Sequence, residues 1–239
     1  MNSLAEKITI VQNFICTDPG RLGVLLSQLT IMARIFGDIK FVVNYNTEKN
    51  SSIVKDAYEK TIKNLDFTNN LEKDWALTTL ELIKKCNTPY ILYLCEDFIY
   101  LDDNKLWFDA LEESMENRVD LLMLARIDKY TQATHVKKYC PGDHVYFYSS
   151  KDSPHLTLPI DAMHEKTFFT ERLKEYADLH SYAIPNPYEA YYKHKYSIRT
   201  FDILCAVPKK ILLEEVHPLG VRESTIAQIE RTRNLILEK

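Results

Sequence analysis

Hydrophobic and polar positions change their rhythm several times along the chain. Ile8 to Ile15 is short and β-branched, as a buried strand should be, and Thr17-Asp18-Pro19-Gly20 then breaks it with turn and helix-start chemistry. From Arg21 to Phe36, Leu22, Leu25, Leu26, Leu29, Met32 and Phe36 recur at three- and four-residue steps, which predicts a helix with one apolar face, stopped by Gly37-Asp38. Ile39 to Asn44 predicts a second strand. Ser51-Ser52 can cap a helix carrying Ile53, Val54, Ala57, Tyr58 and Ile62, and Asp74 one carrying Trp75, Leu77, Leu80 and Ile83, with a short strand at Leu65 to Thr68 between them. Asn87-Thr88-Pro89 ends the latter helix, and Tyr90 to Leu94 is the most strand-like stretch of all. A helix over Lys105 to Glu116, capped by Asp102 or Asp103, leads to a strand at Asp120 to Ala125.

This βαβαβαβαβ alternation predicts an α/β fold with a mostly parallel sheet flanked by helices, because parallel neighbours need crossovers and helices supply them. A ligand site then belongs at the carboxyl ends of the strands. After Arg126 the pattern changes. Val136 to Tyr139 and Val145 to Tyr148 flank Cys140-Pro141-Gly142-Asp143, which predicts a β-hairpin around a type II turn. Ser149 to Pro187 is rich in His, Pro, Tyr and Phe and carries one amphipathic helix around Phe168 to Leu179. Phe201 to Val207 reads as a late strand and Arg222 to Lys239 as a charged helix with Ile226, Ile229 and Ile236 on one side.

Composition narrows the function. The 239 residues are 46% hydrophobic, long enough and apolar enough to exclude wholesale disorder. With 34 acidic against 30 basic side chains the net charge is −4, so no broad basic surface exists and nonspecific nucleic-acid binding is disfavoured. Five cysteines without a C-x-x-C pair read as reduced thiols of a cytoplasmic protein. Met1 to Lys7 shows no secretory pattern, and apolar stretches are broken by charge well before ~18 residues, so membrane association is expected to be peripheral at most. Both G-x-G-x-x-G and G-x-x-x-x-G-K-[ST] are absent, leaving side chains or a metal to hold any phosphate. The absence of H-E-x-x-H and H-x-H disfavours a zinc hydrolase.

The most informative segment is Tyr90-Ile91-Leu92-Tyr93-Leu94-Cys95-Glu96-Asp97-Phe98, where two carboxylates interrupt an apolar run. An unpaired buried carboxylate is too costly, so the acids mark the emergence of a buried strand or are paired with cations. A divalent metal holding phosphate oxygens meets both conditions, and a solvated loop meets the first. Adjacent strand residues point to opposite faces, so Glu96 and Asp97 are expected to face apart, with one of them doing most of the metal work.

The order of strand, Thr17-to-Arg21 helix start, strand, helix, Trp75-Ala76-Leu77 helix and the Thr88-to-Phe98 run resembles the nucleotide-sugar half of GT-A glycosyltransferases, in particular bacterial family-two-like members, over residues 8 to 126. Their corresponding strand ends in a D-x-D-type motif whose final acid binds the metal that bridges the donor diphosphate. The resemblance therefore implies Asp97 as the metal ligand and Glu96 at the middle position. The first acidic position is taken by Cys95, a soft ligand poorly suited to Mn or Mg.

Other roles follow from the same resemblance. Asp18 and Arg21 fall where the family holds the nucleotide, although helix-start duty also explains Asp18. Arg126, directly after a strand, could reach a diphosphate with its fork of donors or serve as an ion-pair partner. Glu215-Val216-His217-Pro218-Leu219-Gly220 resembles a late His-x-x-Gly turn, which implies His217 at the metal or diphosphate; a surface histidine before a proline turn reads the same way. Glu189, in Asn186-Pro187-Tyr188-Glu189, could be the acceptor-activating base or part of a near capping box, and Asp161 and Glu165 compete for the catalytic role.

Taken together, the resemblance implies one GT-A-like domain over 1–239, with residues 1–126 binding a nucleotide sugar and 127–239 shaping the acceptor side. The expected activity is metal-dependent, inverting transfer of a sugar to a hydroxyl of a glycan or other saccharide acceptor. Two alternatives stay open. One is a sugar nucleotidyltransferase, which normally carries a glycine-rich basic loop where this chain has Thr17-Asp18-Pro19-Gly20-Arg21-Leu22-Gly23. The other is a non-catalytic nucleotide-sugar-binding or scaffold protein, motivated by Cys95.

Overall fold

A computed structural model of the chain describes residues 4–71, 74–124, 139–152, 161–179, 201–210 and 212–215. A single helical turn, α1 (Leu4–Lys7), leads into β1 (Ile8–Phe14), which is buried at every position. Ile8, Ile10 and Phe14 join one core cluster and Val11 another, so both faces of the strand are covered and no polar alternation appears in its sequence. α2 (Pro19–Phe36) starts before its apolar stripe does, because Pro19 suits the first helical turn and the Asp18 carboxylate accepts the Arg21 backbone N–H at 2.9 Å.

β2 (Lys40–Tyr45), α3 (Ser51–Thr61), β3 (Leu65–Thr68), α4 (Trp75–Lys84) and β4 (Tyr90–Tyr93) follow in the expected order. Asp74 caps α4 by accepting the Leu77 N–H at 3.0 Å, whereas α3 is entered through Asn50 in the left-handed region (φ 64°) without a side-chain cap. The Ser51 hydroxyl is instead engaged with the Asn69 side chain at 2.9 Å. After β5 (Phe98–Tyr100), α5 (Asn104–Glu116) is capped by Asp103, while Asp102 pairs with Arg34. The remaining described elements are β6 (Leu121–Met123), β7 (Cys140–Pro141), β8 (Val145–Ser149), a 3-10 turn (Ser150–Asp152), β9 (Ala162–Glu165), α6 (Lys166–Leu179), β10 (Leu204–Pro208) and β11 (Leu213–Glu215).

Nine of the described strands form the main sheet in the order β3-β2-β1-β4-β9-β6-β10-β8-β7. β3, β2, β1 and β4 are mutually parallel, as are β6 and β10. Leu25, Leu29, Val54, Tyr58, Trp107 and Leu111 place α2, α3 and α5 over one face, and Leu80, Ile83, Phe169 and Leu173 place α4 and α6 over the other. No helix among the described residues is long and apolar enough to cross a membrane.

Two local findings depart from the sequence reading. β9 inserts antiparallel between β4 and β6, with Ala162 opposite both Tyr93 and Met123, in a stretch whose four residues carry no readable period. The hairpin is also shifted: Cys140 and Pro141 pair with Phe147 and Tyr146, and Gly142 to His144 make the turn. Pro141 is tolerated because β7 lies at the sheet edge. The Glu113 carboxylate on α5 accepts the N–H groups of Asp143, His144 and Val145 at 2.6, 2.6 and 3.1 Å, and a Cβ on Gly142 would collide with it.

Candidate functional site at the carboxyl ends of the parallel strands

Buried amides stand where the strands run out. Asn13 of β1 donates to Thr79 Oγ1 (2.9 Å) and the Trp75 carbonyl (3.1 Å), which ties the start of α4 to the strand end. Asn44 of β2 donates to Asn13 Oδ1 (3.0 Å) and accepts the Asn70 N–H (2.7 Å), fixing the loop after β3. Gln12 accepts from the Tyr58 hydroxyl at 2.8 Å and donates to the Leu94 carbonyl at 3.3 Å. Each of these groups is paired, so the loops rising above the sheet are held by hydrogen bonds in a nearly water-free layer. The sequence reading passed over this network, although Gln12, Asn13 and Asn44 are visible as polar residues inside apolar strands.

Above that layer lies the acidic pair. β4 ends at Tyr93, and Glu96 and Asp97 occupy a turn before β5, so the alternation of a strand does not separate them. The expectation that they face apart is corrected: both reach one cation. Arg21 Nη2 lies 2.8 Å from Glu96 Oε1 and 2.6 Å from Asp97 Oδ2. The guanidinium comes from the first turn of α2, where the Asp18 cap fixes its backbone. Asp161, immediately before β9, accepts the Cys95 N–H at 3.0 Å, and Tyr100 donates its hydroxyl to the Cys95 carbonyl at 3.0 Å.

Burial governs the electrostatics. Glu96 is only 8% exposed; burial and the neighbouring Asp97 push its carboxyl up to about 7, against the lowering pull of Arg21. Burial opposes the Arg21 charge, yet Glu96 and Asp97 outweigh it and hold the guanidinium above its ordinary value. Burial, then Asp161 and Glu96, push the Cys95 thiol well above its ordinary value, which disfavours the thiolate in the absence of a metal.

Of the residues singled out from sequence, Arg21, Glu96 and Asp97 meet directly, Asp18 positions Arg21, and Asp161 abuts the base of the turn through Cys95. Glu165 is removed from the competition: it pairs opposite Tyr90 at the amino end of β4 and its carboxylate accepts the Phe168 N–H at 2.7 Å, capping α6. Arg126, Glu189 and His217 lie outside the described residues. The hard carboxylate oxygens of Glu96 and Asp97, already bridged by one cation, fit a divalent ion such as Mn or Mg in donor chemistry. Among the described residues no group of three His, Cys, Asp or Glu side chains is arranged around a metal position, so an ion held here would need a further ligand from elsewhere. β11 runs antiparallel to β5 with Glu215 opposite Phe98, and so carries the chain to the residue next to Asp97.

No protein-family model and no curated protein matches the sequence. Solved structures do resemble the fold. Residues 1–349 of Staphylococcus aureus TarS superpose with a TM-score of 0.58 at 14% identity over 93% of this chain and 64% of that one; TarS has also been crystallised with UDP-GlcNAc and with UDP. The mannosyltransferase PcManGT from Pyrobaculum calidifontis, in complex with GDP-Man and Mn2+, gives 0.58 at 11% identity over 93% and 59%. A 4-diphosphocytidyl-2C-methyl-D-erythritol synthase from Anaerococcus prevotii gives 0.56 at 12% identity over 94% and 96%. The chain thus spans slightly less than two thirds of the TarS and PcManGT structures. At these identities the likeness is one of architecture, and the chain has a GT-A-like α/β fold with a mostly parallel central sheet flanked by helices.

Proposed function

We propose that the protein is a glycosyltransferase that moves a sugar from a nucleotide-sugar donor to a hydroxyl of a glycan or related acceptor, with a divalent metal and with inversion. The observation that carries this reading is the convergence of Arg21, Glu96 and Asp97 at the carboxyl ends of the parallel strands, where open α/β sheets bind ligands. Asp97 and Glu96 would hold the metal, and a bound Mn or Mg would stabilise negative charge on the departing diphosphate. His217 follows Glu215 by two residues, a reach of about 7 Å, which supports it as a further ligand near Asp97. Asp18 and Arg21 line the nucleotide side, and Arg126 is assigned to the diphosphate. For the base, Asp161 is favoured by its hydrogen bond to the Cys95 N–H beside the acidic turn; Glu189 is the competing carboxylate.

A second reading, a sugar nucleotidyltransferase, is favoured by the agreement in length with the Anaerococcus synthase, whose name carries a diphosphocytidyl group. Against it stands the loop after β1, whose single arginine is already committed to two carboxylates. Melting curves with UDP, GDP, CDP and dTDP, each with Mn2+, with Mg2+ and with chelator, test the site. At ~100 times its Kd a nucleotide adds roughly 2.7 kcal/mol and raises the midpoint by several degrees. We expect a metal-dependent rise with one nucleotide that is lost in Asp97→Ala. Release of nucleoside diphosphate from the matching nucleotide sugar then indicates a transferase; release of pyrophosphate from a nucleoside triphosphate and a sugar phosphate indicates the second reading. Binding without turnover leaves a scaffold role.

A further inference from the structure

We propose that Arg21 is the resident cation of the acidic turn, and that it gives up this position when a divalent metal and a nucleoside diphosphate arrive together. The inference rests on the donor-site reading above. Its basis is the manner of the contact. An arginine that holds one carboxylate firmly does so through two parallel N–H···O bonds. Here a single nitrogen, Nη2, bridges two different carboxylates, as a metal ion would, and Nε is shielded from solvent with no hydrogen-bond partner among the described residues. The guanidinium therefore meets the two acids through one nitrogen and not through its fork.

Charge and mobility point the same way. With both carboxylates ionised, one guanidinium leaves a net charge of −1 in a turn where Glu96 is 8% and Asp97 14% exposed, whereas a divalent ion balances both. The Arg21 side chain is 36% exposed while its backbone is fixed by the Asp18 cap, so the side chain can move and the helix start cannot. Once displaced, the guanidinium stands at the first turn of α2 with its fork available to a diphosphate. Metal and nucleotide then assist each other: the metal frees the arginine, and the nucleotide gives it a new partner. Binding of the metal alone is penalised because it strands a cation beside another cation.

Titration of the full chain with Mn2+ alone, followed by the electron-paramagnetic signal of free aqueous Mn2+, tests this in native protein, Arg21→Gln and Arg21→Lys, and is repeated with UDP, GDP and CDP. Arg21→Gln should bind Mn2+ alone about tenfold or more tighter than native, and the mutual tightening of Mn2+ and nucleotide seen in native protein should shrink by a similar factor. Arg21→Lys, which keeps a cation, should stay near native for the metal alone. Equal or weaker Mn2+ binding by Arg21→Gln overturns the proposal. Melting curves separate displacement from a purely structural role: Arg21→Gln should melt below native in chelator and recover in Mn2+, and a variant that stays equally low in both counts against displacement. If native protein binds no nucleotide in any arm, the donor-site reading falls, while the comparison with Mn2+ alone still decides the role of Arg21.

Discussion

The surroundings of Glu96 oppose its ionisation. Its carboxyl is raised from 4.5 to about 7 by burial and by Asp97, only partly offset by Arg21. Because the folded value lies above the unfolded one, protonation favours the fold. That contribution is complete below the unfolded value and is lost as pH rises through the folded one. Glu96→Gln fixes the neutral form while leaving Arg21 its Asp97 partner. The variant should match native protein near pH 4 and melt above it near pH 8; a gap that does not widen between these limits contradicts the assignment. At this scale the sequence was partly legible. The caps Asp18, Asp74 and Asp103 were readable because capping is local chemistry, confined to a few residues. The joining of Arg21 to Glu96 and Asp97 was not, because the partners are 76 positions apart for the Asp97 bond and only the packed α2 brings them together.

Short elements divide at this scale: β3, β4 and β6, of three or four residues, were readable between the helices that flank them, and others were not. β1, α2, β2 and α4 have a clear period or caps and appear close to their expected limits, whereas β5, β9 and β11 have three or four residues each and take their form from strand partners. The hairpin shows the same limit. Pro-Gly chemistry announced a turn, but its register was set by Glu113, which sits on a helix that precedes it by some thirty residues. Glu113→Ala leaves three backbone N–H groups without their acceptor. It should lower stability by about 1–2 kcal/mol and speed amide exchange at Asp143, His144 and Val145, with Glu113→Gln intermediate. Unchanged exchange at those amides would show that the carboxylate does not hold the turn.

Over the whole molecule, alternation of strands and helices disclosed the fold class, but not that the second half of the sequence completes the sheet of the first. β9 separates β4 from β6, and β10 flanks β6 on its other side. A fragment ending at residue 126 would expose both edges of β6 and the outer edge of β4, all lined by buried residues such as Leu92, Leu121 and Leu122. Such a fragment should aggregate or unfold without a cooperative transition, and a sharp calorimetric transition would show that residues 1–126 are self-sufficient. The division of labour between a donor half and an acceptor half, where it holds, is one of chemistry and not of independent folding.

The strand pairing of β11 with β5 sets an order of events on the ribosome. The acidic turn is synthesised before the middle of the chain, but Asp161 must emerge before the Cys95 N–H finds its acceptor, and residues 213–215 before β5 finds its partner. Closing loops of this size makes such contacts slow to form. The nascent chain therefore carries two acids and an arginine well before the contacts that brace their turn, and the bracing is complete only once residues 213–215 have emerged.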